Sequence, residues 1–85
     1  MTYPRIPSVD AARFGAIIRR LRLERGWTKA KLAQRADITP QYMNIVENGY
    51  NVPSLTLVLD LLEVLGADGA AVMRELLANR NFATK

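Results

Sequence analysis

The sequence contains neither cysteine nor histidine in its 85 residues. Without cysteine it has no disulfide and no thiolate metal site, and without histidine it lacks the commonest general base and zinc ligand. Apolar residues make up 49% of the chain, but Asp60 and Glu63 interrupt the longest apolar stretch, so we predict no membrane span. The first residues also lack the apolar run of a signal peptide. We therefore expect a cytoplasmic, single-domain protein with no metal and no cofactor, and we do not expect an enzyme.

Acidic residues are scarce in the first part of the chain. Residues 1–35 contain nine Lys or Arg and two acids, a net charge of +7, whereas residues 36–85 have a net charge of −3. A basic half of this kind is typical of a protein that binds a polyanion. A solvated, positively charged helix face gives the same pattern, so the charge alone decides nothing.

Start and stop signals divide the chain into five predicted helices. Pro4 and Pro7 oppose helix, so we predict a flexible arm over residues 1–7, a folded domain over 8–80 and a frayed tail over 81–85. Ser8 or Asp10 caps the first predicted helix, which runs to about Arg25. A fourth helix is predicted over residues 55–65 after the cap Ser54, and a fifth starts after Asp68 and runs to about Asn79.

The second and third helices carry matched start signals. Thr28 and Thr39 are each placed to cap a helix, and Pro40 takes the first helical position, where its missing N–H costs nothing. Gly49 ends the third helix. The turn between the two helices is too short for them to lie antiparallel, so we predict a helix-turn-helix, whose second helix can lie in a DNA major groove.

These features resemble the Cro and phage-repressor type of helix-turn-helix, the XRE family, over about residues 14–68. The motifs that carry the resemblance are Leu21-Arg22-x-x-Arg25-Gly26-Trp27-Thr28, Leu32-Ala33, Ile38-Thr39, Ile45-Val46-Glu47-Asn48-Gly49 and Pro53-Ser54-Leu55. The resemblance implies an all-α, five-helix, lambda-repressor-like bundle that binds double-stranded operator DNA as a homodimer and regulates transcription. Two positions depart from the family: Asp37 stands where Gly is common, and Lys31 where an acid is usual. Because Asp tolerates the left-handed conformation, we expect the turn to form.

The third helix would carry the base-reading residues. The positions that match the base-reading positions of the family are Thr39, Pro40, Gln41, Asn44 and Ile45. Gln and Asn can each bind adenine through two hydrogen bonds, and the Ile45 methyl groups can meet a thymine methyl. An isoleucine on a surface is also common without any function.

The phosphate-binding residues are expected on the first three helices. Lys29 and Lys31 lie in the first turn of the second helix, where the helix dipole disfavours a cation by roughly 0.3–1 kcal/mol. A bound phosphate would reverse that effect, although long lysine side chains can also bend into solvent. The full set of expected phosphate contacts is Arg19, Arg20, Lys29, Lys31, Arg35, Tyr42 and Asn48, the last through its backbone N–H.

Two further expectations concern stability and partners. The resemblance implies a partly buried ion pair between Arg22 and Glu47 that fixes the third helix. The apolar surplus of the fourth and fifth helices predicts a homodimer interface formed by Leu61, Val64, Val72, Met73 and Leu76. The alternative to a DNA-reading regulator is an antitoxin or another interaction module that uses the same fold to bind a protein partner.

Overall fold

A computed structural model describes residues 9–78 and residue 80, which form five α-helices and no strand. In chain order the helices are α1 (Val9–Glu24), α2 (Lys29–Arg35), α3 (Pro40–Glu47), α4 (Leu55–Val64) and α5 (Gly69–Ala78). The predicted all-α, five-helix architecture is confirmed, and α1 and α4 each end one residue earlier than predicted. The predicted arm 1–7, the possible cap Ser8 and the tail 81–85 lie outside the described residues. Within the described ranges, no helix is long and apolar enough to cross a membrane.

Side-chain caps set the starts of the helices. The hydroxyls of Thr28, Thr39 and Ser54 each accept a hydrogen bond from the backbone N–H three residues later, at 3.0, 3.0 and 3.1 Å. The carboxylate of Asp68 accepts from two N–H groups of α5, at 3.0 and 3.2 Å. These bonds satisfy donors that a helix cannot satisfy internally, and they confirm the predicted starts of α2, α3, α4 and α5.

The turn between α2 and α3 contains the one non-glycine residue with positive φ among those described. Asp37 has a φ of 59°, which lies in the left-handed region. Aspartate adopts this conformation more readily than most residues. The expectation that Asp37 replaces glycine here without loss of the turn is confirmed.

The core joins all five helices. α3 packs against both α1 and α2, and α1 also packs against α5. The centre of the core is formed by Ile18 of α1, Leu32 of α2, Met43 and Val46 of α3, and Leu61 of α4, each fully buried. Two long sides of α3 are thus fixed, and its remaining side faces outward.

Most of the residues predicted for the dimer interface are buried or half-buried within the chain. Leu61 and Val72 are buried inside the single chain, and Val64 and Leu76 are half-buried against its core. Of the five predicted residues, only Met73 is exposed. The prediction failed for Leu61 of α4 and Val72 of α5 because their own chain covers these apolar positions, and the sequence pattern alone does not distinguish such cover from cover by a partner.

Candidate nucleic-acid interface

The site is built on α2, the turn that follows it, and α3. Buried Leu32 and Ala33 of α2 and Met43 and Val46 of α3 fix the two helices against each other. The backbone N–H of Ile38 donates to the carbonyl of Ala33 at 2.9 Å and tightens the turn between them. The result is a helix-turn-helix with one side of α3 directed away from the core.

The outward side of α3 is rich in amides. Gln41, Asn44 and Asn48 are exposed, and Ile45 is half-buried between them. Thr39 and Pro40 are exposed at the start of the helix, and the Thr39 hydroxyl is engaged as the cap. The five residues expected to read bases therefore lie close together, from the cap Thr39 to Ile45 in α3.

A buried ion pair joins the end of α3 to α1. The Nε and Nη2 atoms of Arg22 donate to the two carboxylate oxygens of Glu47 at 2.7 and 3.1 Å, and Nη1 donates to the carbonyl of Trp27 at 2.8 Å. The side chains of Arg22 and Glu47 are only 7% and 2% exposed. A bidentate pair with a third bond to the backbone fixes the end of α3 relative to α1 and to the segment before α2.

A close approach of backbones holds the same end of α3. A Cβ added to Gly15 of α1 would lie 2.5 Å from the carbonyl oxygen of Glu47 and closer still to that of Val46. A Cβ on Gly49, which has a φ of +73°, would lie 2.5 Å from the Cα of Ala12. Sequence reasoning missed Gly15, although a glycine inside a predicted helix is itself a signal of close packing.

Lys29 contacts the recognition side directly. Its Nζ donates to Oδ1 of Asn44 at 2.7 Å, although the two residues are 15 positions apart. Lys29 was predicted to contact only the phosphate groups of DNA. The contact places its charge next to an expected base-reading residue.

Two further cations of α2 lie over one aromatic ring. The Nζ of Lys31 and the Cζ of Arg35 lie 5.0 and 5.1 Å from the centroid of the half-buried Trp27 ring. Cations at this distance are attracted by the electron-rich face of indole. Trp27 packs against the core, as expected, and its ring also orders these two positive charges beside the helix-turn-helix.

The other residues expected to contact phosphate differ in how exposed they are and in the hydrogen bonds that they make within the chain. Arg19 is exposed on α1, and Tyr42 is half-buried on α3. The backbone N–H of Asn48 donates to the carbonyl of Asn44 at 3.1 Å, so the expectation that this N–H binds phosphate is wrong: Asn48 caps α3 and completes its last turn. Its side chain donates to the same carbonyl at 2.9 Å.

Arg20, which was also expected to contact phosphate, pairs with acidic side chains of its own chain. Its guanidinium donates to both carboxylate oxygens of Glu75 at 3.0 and 3.1 Å and lies 3.9 Å from the carboxylate of Glu24. The hydrogen bond from Arg20, together with the attraction of its charge, holds the pKa of Glu75 below its ordinary value of 4.5. The exposed pair links α1 to α5, and a phosphate contact by Arg20 stays a prediction.

The chemistry available at this site is recognition. Among the described residues, no group of three His, Cys, Asp or Glu side chains could hold a metal ion. The exposed polar side chains of α3 are amides, and Lys29 of α2 contacts one of them. This arrangement can offer hydrogen bonds to base edges and positive charge to phosphates.

Comparison with known proteins decides the family. Residues 13–76 match the family described as the helix-turn-helix domain. The chain belongs to this helix-turn-helix family. It is 39% identical over 54 residues to the HTH-type transcriptional regulator RamB of Mycobacterium tuberculosis, a match that covers 64% of this chain and 11% of RamB. The matched part is thus a small fraction of the much longer RamB protein.

Solved structures share the fold. The clp gene regulator ClgR of Corynebacterium glutamicum matches with a TM-score of 0.77 and 27% identity over 88% of this chain and 97% of that one. The restriction-modification controller protein C.AhdI of Aeromonas hydrophila matches with a TM-score of 0.71 and 28% identity over 76% of this chain and 98% of that one. The controller protein C.Esp1396I, solved as a tetramer with its natural operator, matches in fold with a TM-score of 0.74 at 18% identity, over 84% of this chain and 93% of that one. The resemblance to XRE-type regulators and the lambda-repressor-like fold are confirmed.

Proposed function

We propose that this protein is a sequence-specific DNA-binding transcriptional regulator whose α3 lies in the major groove of an operator. The observation that carries the proposal is the outward, amide-rich side of α3 on a helix fixed at its C-terminal end by Arg22, Glu47 and Gly15. RamB and ClgR, both similar to this chain, are named as regulators, which supports the same role here. We expect the protein to act in the cytoplasm, where its DNA target lies.

Base contacts in this proposal come from residues 39–45, which comprise the cap of α3 and its outward side. Gln41 is exposed and reaches a base edge with its amide, and Asn44 does so one turn later. Thr39 and Pro40 approach the bases at the start of the helix. Ile45, which is half-buried, contacts a thymine methyl with the part of its side chain that faces outward.

Phosphate contacts in this proposal flank α3. Lys31 and Arg35, held beside Trp27, approach one strand, and Tyr42 and Arg19 supply further contacts to the backbone. Contacts of this kind fix the register of the protein on the duplex and carry no sequence information. They would give binding a steep dependence on salt.

A single substitution separates base reading from general affinity. Gln41→Ala removes an exposed side chain that makes no core contact, so folding should be unaffected. We expect a loss of about 1–3 kcal/mol on the preferred duplex and a relaxed preference at one base pair, measured by titration against all four bases at each position. Equal weakening on preferred and random duplexes would remove Gln41 from the base-reading set.

We further propose that the protein binds a palindromic operator as a homodimer. One domain of this size makes few base contacts, and a two-fold dimer doubles them on half-sites about 34 Å apart. Exposed apolar residues are available for the interface: Leu55, Met73 and Leu77 line one groove of about 360 Å³ that α1, α4 and α5 form. The second copy of the chain would cover this groove.

The same groove favours one alternative, an antitoxin or interaction module with a protein partner. An apolar groove with exposed leucines is suited to either occupant. Absence of any sequence preference in DNA binding, together with tight binding of a different protein at the groove, would support that alternative over a regulator.

A further inference from the structure

The contact between Lys29 and Asn44 determines the orientation of an amide on the recognition side. Lys29 is the first residue of α2, and its Nζ lies 2.7 Å from Oδ1 of the exposed Asn44. A lysine ammonium carries three donors and no acceptor, so the oxygen of the amide, and not its nitrogen, must face it. The Nδ2 of Asn44 is therefore turned away from Lys29.

The groups that this pair has left to offer are donors. Nδ2 of Asn44 has two N–H bonds, and Nζ of Lys29 has two beyond the one it gives to Oδ1. The second lone pair of Oδ1 lies beside a positive charge, which weakens it as an acceptor for any further donor. This point of the helix-turn-helix surface is thus rich in donors and poor in acceptors.

Adenine and guanine differ in the hydrogen-bonding groups that they present to such a surface. Adenine presents one acceptor, N7, and one donor, N6, so an asparagine that binds adenine must accept through Oδ1. Guanine presents two acceptors, N7 and O6, and is the base that lysine and arginine bind most often. A pair of donors beside an engaged Oδ1 matches guanine and not adenine.

We propose that Lys29 and Asn44 act as one base-reading unit that selects guanine, which makes Lys29 a specificity-determining residue and not a phosphate contact. The inference rests on the proposed function, in which α3 lies in the major groove. It revises the sequence-based expectation that Asn44 reads adenine and that Lys29 binds only the backbone.

Lys31 provides a matched control for Lys29. It is the same residue type two positions later in α2, and its ammonium lies over the Trp27 ring, 5.0 Å from the centroid. Substitution of either lysine by methionine removes one positive charge and keeps most of the apolar stem. The two variants differ in whether they remove the bond to Asn44.

The test is selection of preferred sequences from a pool of duplexes with a randomised central region, using the wild-type protein and the Asn44→Ala, Lys29→Met and Lys31→Met variants. Asn44→Ala identifies the base pair read by Asn44, as the position at which preference is lost. At that position we expect guanine for wild type and for Lys31→Met, and adenine or no preference for Lys29→Met. Preferences at the other positions should be unchanged.

A single-atom substitution checks the same contact. Replacement of that guanine by 7-deazaguanine removes the N7 acceptor and should weaken wild-type binding at least about fivefold, with no further effect on Lys29→Met. An adenine selected by the wild type at that position would overturn the inference, as would identical preferences for wild type and Lys29→Met with uniformly lower affinity. If the wild type enriches no sequence, the proposed function fails and the inference with it, an outcome distinct from loss of the guanine alone.

Discussion

The glycine at position 15 shows how one missing side chain positions the recognition helix. Its hydrogen occupies the place where any Cβ would meet the carbonyl oxygens of Val46 and Glu47. Backbone carbonyls at the end of a helix cannot move aside as a flexible side chain can. A larger residue at position 15 therefore has to push α3 away from α1.

Gly15→Ala should destabilise the fold although alanine is the better helix former. We expect a loss of about 1–3 kcal/mol in the free energy of unfolding, from overpacking, measured by denaturant titration. Gly69→Ala is the matched control, since its Cβ would meet only Leu62 Cδ1 at 3.8 Å, and it should be neutral or stabilising by up to about 1 kcal/mol. Equal effects of the two substitutions would contradict the close approach of α1 and α3.

The ion pair of Arg22 and Glu47 also holds α3 in position. Both are buried, and they are hydrogen-bonded to each other, with a third bond from Arg22 to the Trp27 carbonyl. The energetic consequence of such a pair is asymmetric: removal of one partner strands the other charge, whereas replacement of both by apolar residues is often far less costly.

Glu47→Leu should cost roughly 3–5 kcal/mol in unfolding free energy, because it leaves the guanidinium of Arg22 buried without its counter-charge. The double variant Arg22→Met with Glu47→Leu should be more stable than Glu47→Leu alone. Chemical denaturation of wild type, both single variants and the double variant measures the coupling. Additive costs would mean that the two side chains do not act as a pair.

At the scale of elements, much of the fold could be predicted because the signals are local. Thr28, Thr39 and Ser54 each lie three residues from the N–H they cap, so the sequence alone places the starts of α2, α3 and α4. The outward side of α3 followed from helical spacing, since Met43 and Val46 had to face the core.

Contacts between elements could not be predicted in the same way. Lys29 and Asn44 are 15 positions apart, and Arg20 and Glu75 are 55 apart, so each contact depends on how two helices cross. Helical spacing gives the side on which a residue lies, but not which neighbour it meets. The same limit explains why Leu61 and Val72 were expected at a dimer interface and lie in the core instead.

The link between α1 and α5 should be visible in the titration of Glu75. Its pKa is lowered by the hydrogen bond and the charge of Arg20, so the pair stabilises the fold above the ordinary pKa of 4.5 and ceases to do so as the pH falls through the lowered value. Arg20→Met should raise the pKa of Glu75 towards its ordinary value, as measured by carboxyl carbon NMR. Arg19→Met, the neighbouring exposed arginine, should leave it unchanged, and an equal shift from both would assign the effect to general charge.

At the scale of the whole molecule, the basic helix-turn-helix and the apolar groove are separate surfaces with separate expected partners. The groove contains Leu55, Met73 and Leu77, which are 72%, 42% and 55% exposed. Three cations lie on α2: Lys29 contacts Asn44 on the outward side of α3, and Lys31 and Arg35 lie over Trp27. Substitutions on one surface should therefore leave the function of the other testable.

Met73→Glu should convert the proposed homodimer to a monomer, because a charge in the groove would be buried by the second copy. Sedimentation velocity should show a smaller species for this variant at concentrations where the wild type is dimeric. Leu23→Glu is the control, since Leu23 is 55% exposed on α1 and lies outside the groove. Weak dimers form at concentrations on the order of tens of micromolar. A wild-type protein that is still monomeric at that concentration would contradict the dimer.

The central claim, that α3 reads a DNA sequence, is tested most directly by fluorescence anisotropy. The wild-type protein is titrated with its selected duplex and with a scrambled duplex of the same composition, between about 50 and 200 mM salt. The account predicts a preference of more than about a thousandfold for the selected duplex and a steep loss of affinity with salt for both. Weak, equal binding to the two duplexes at every salt concentration would contradict it.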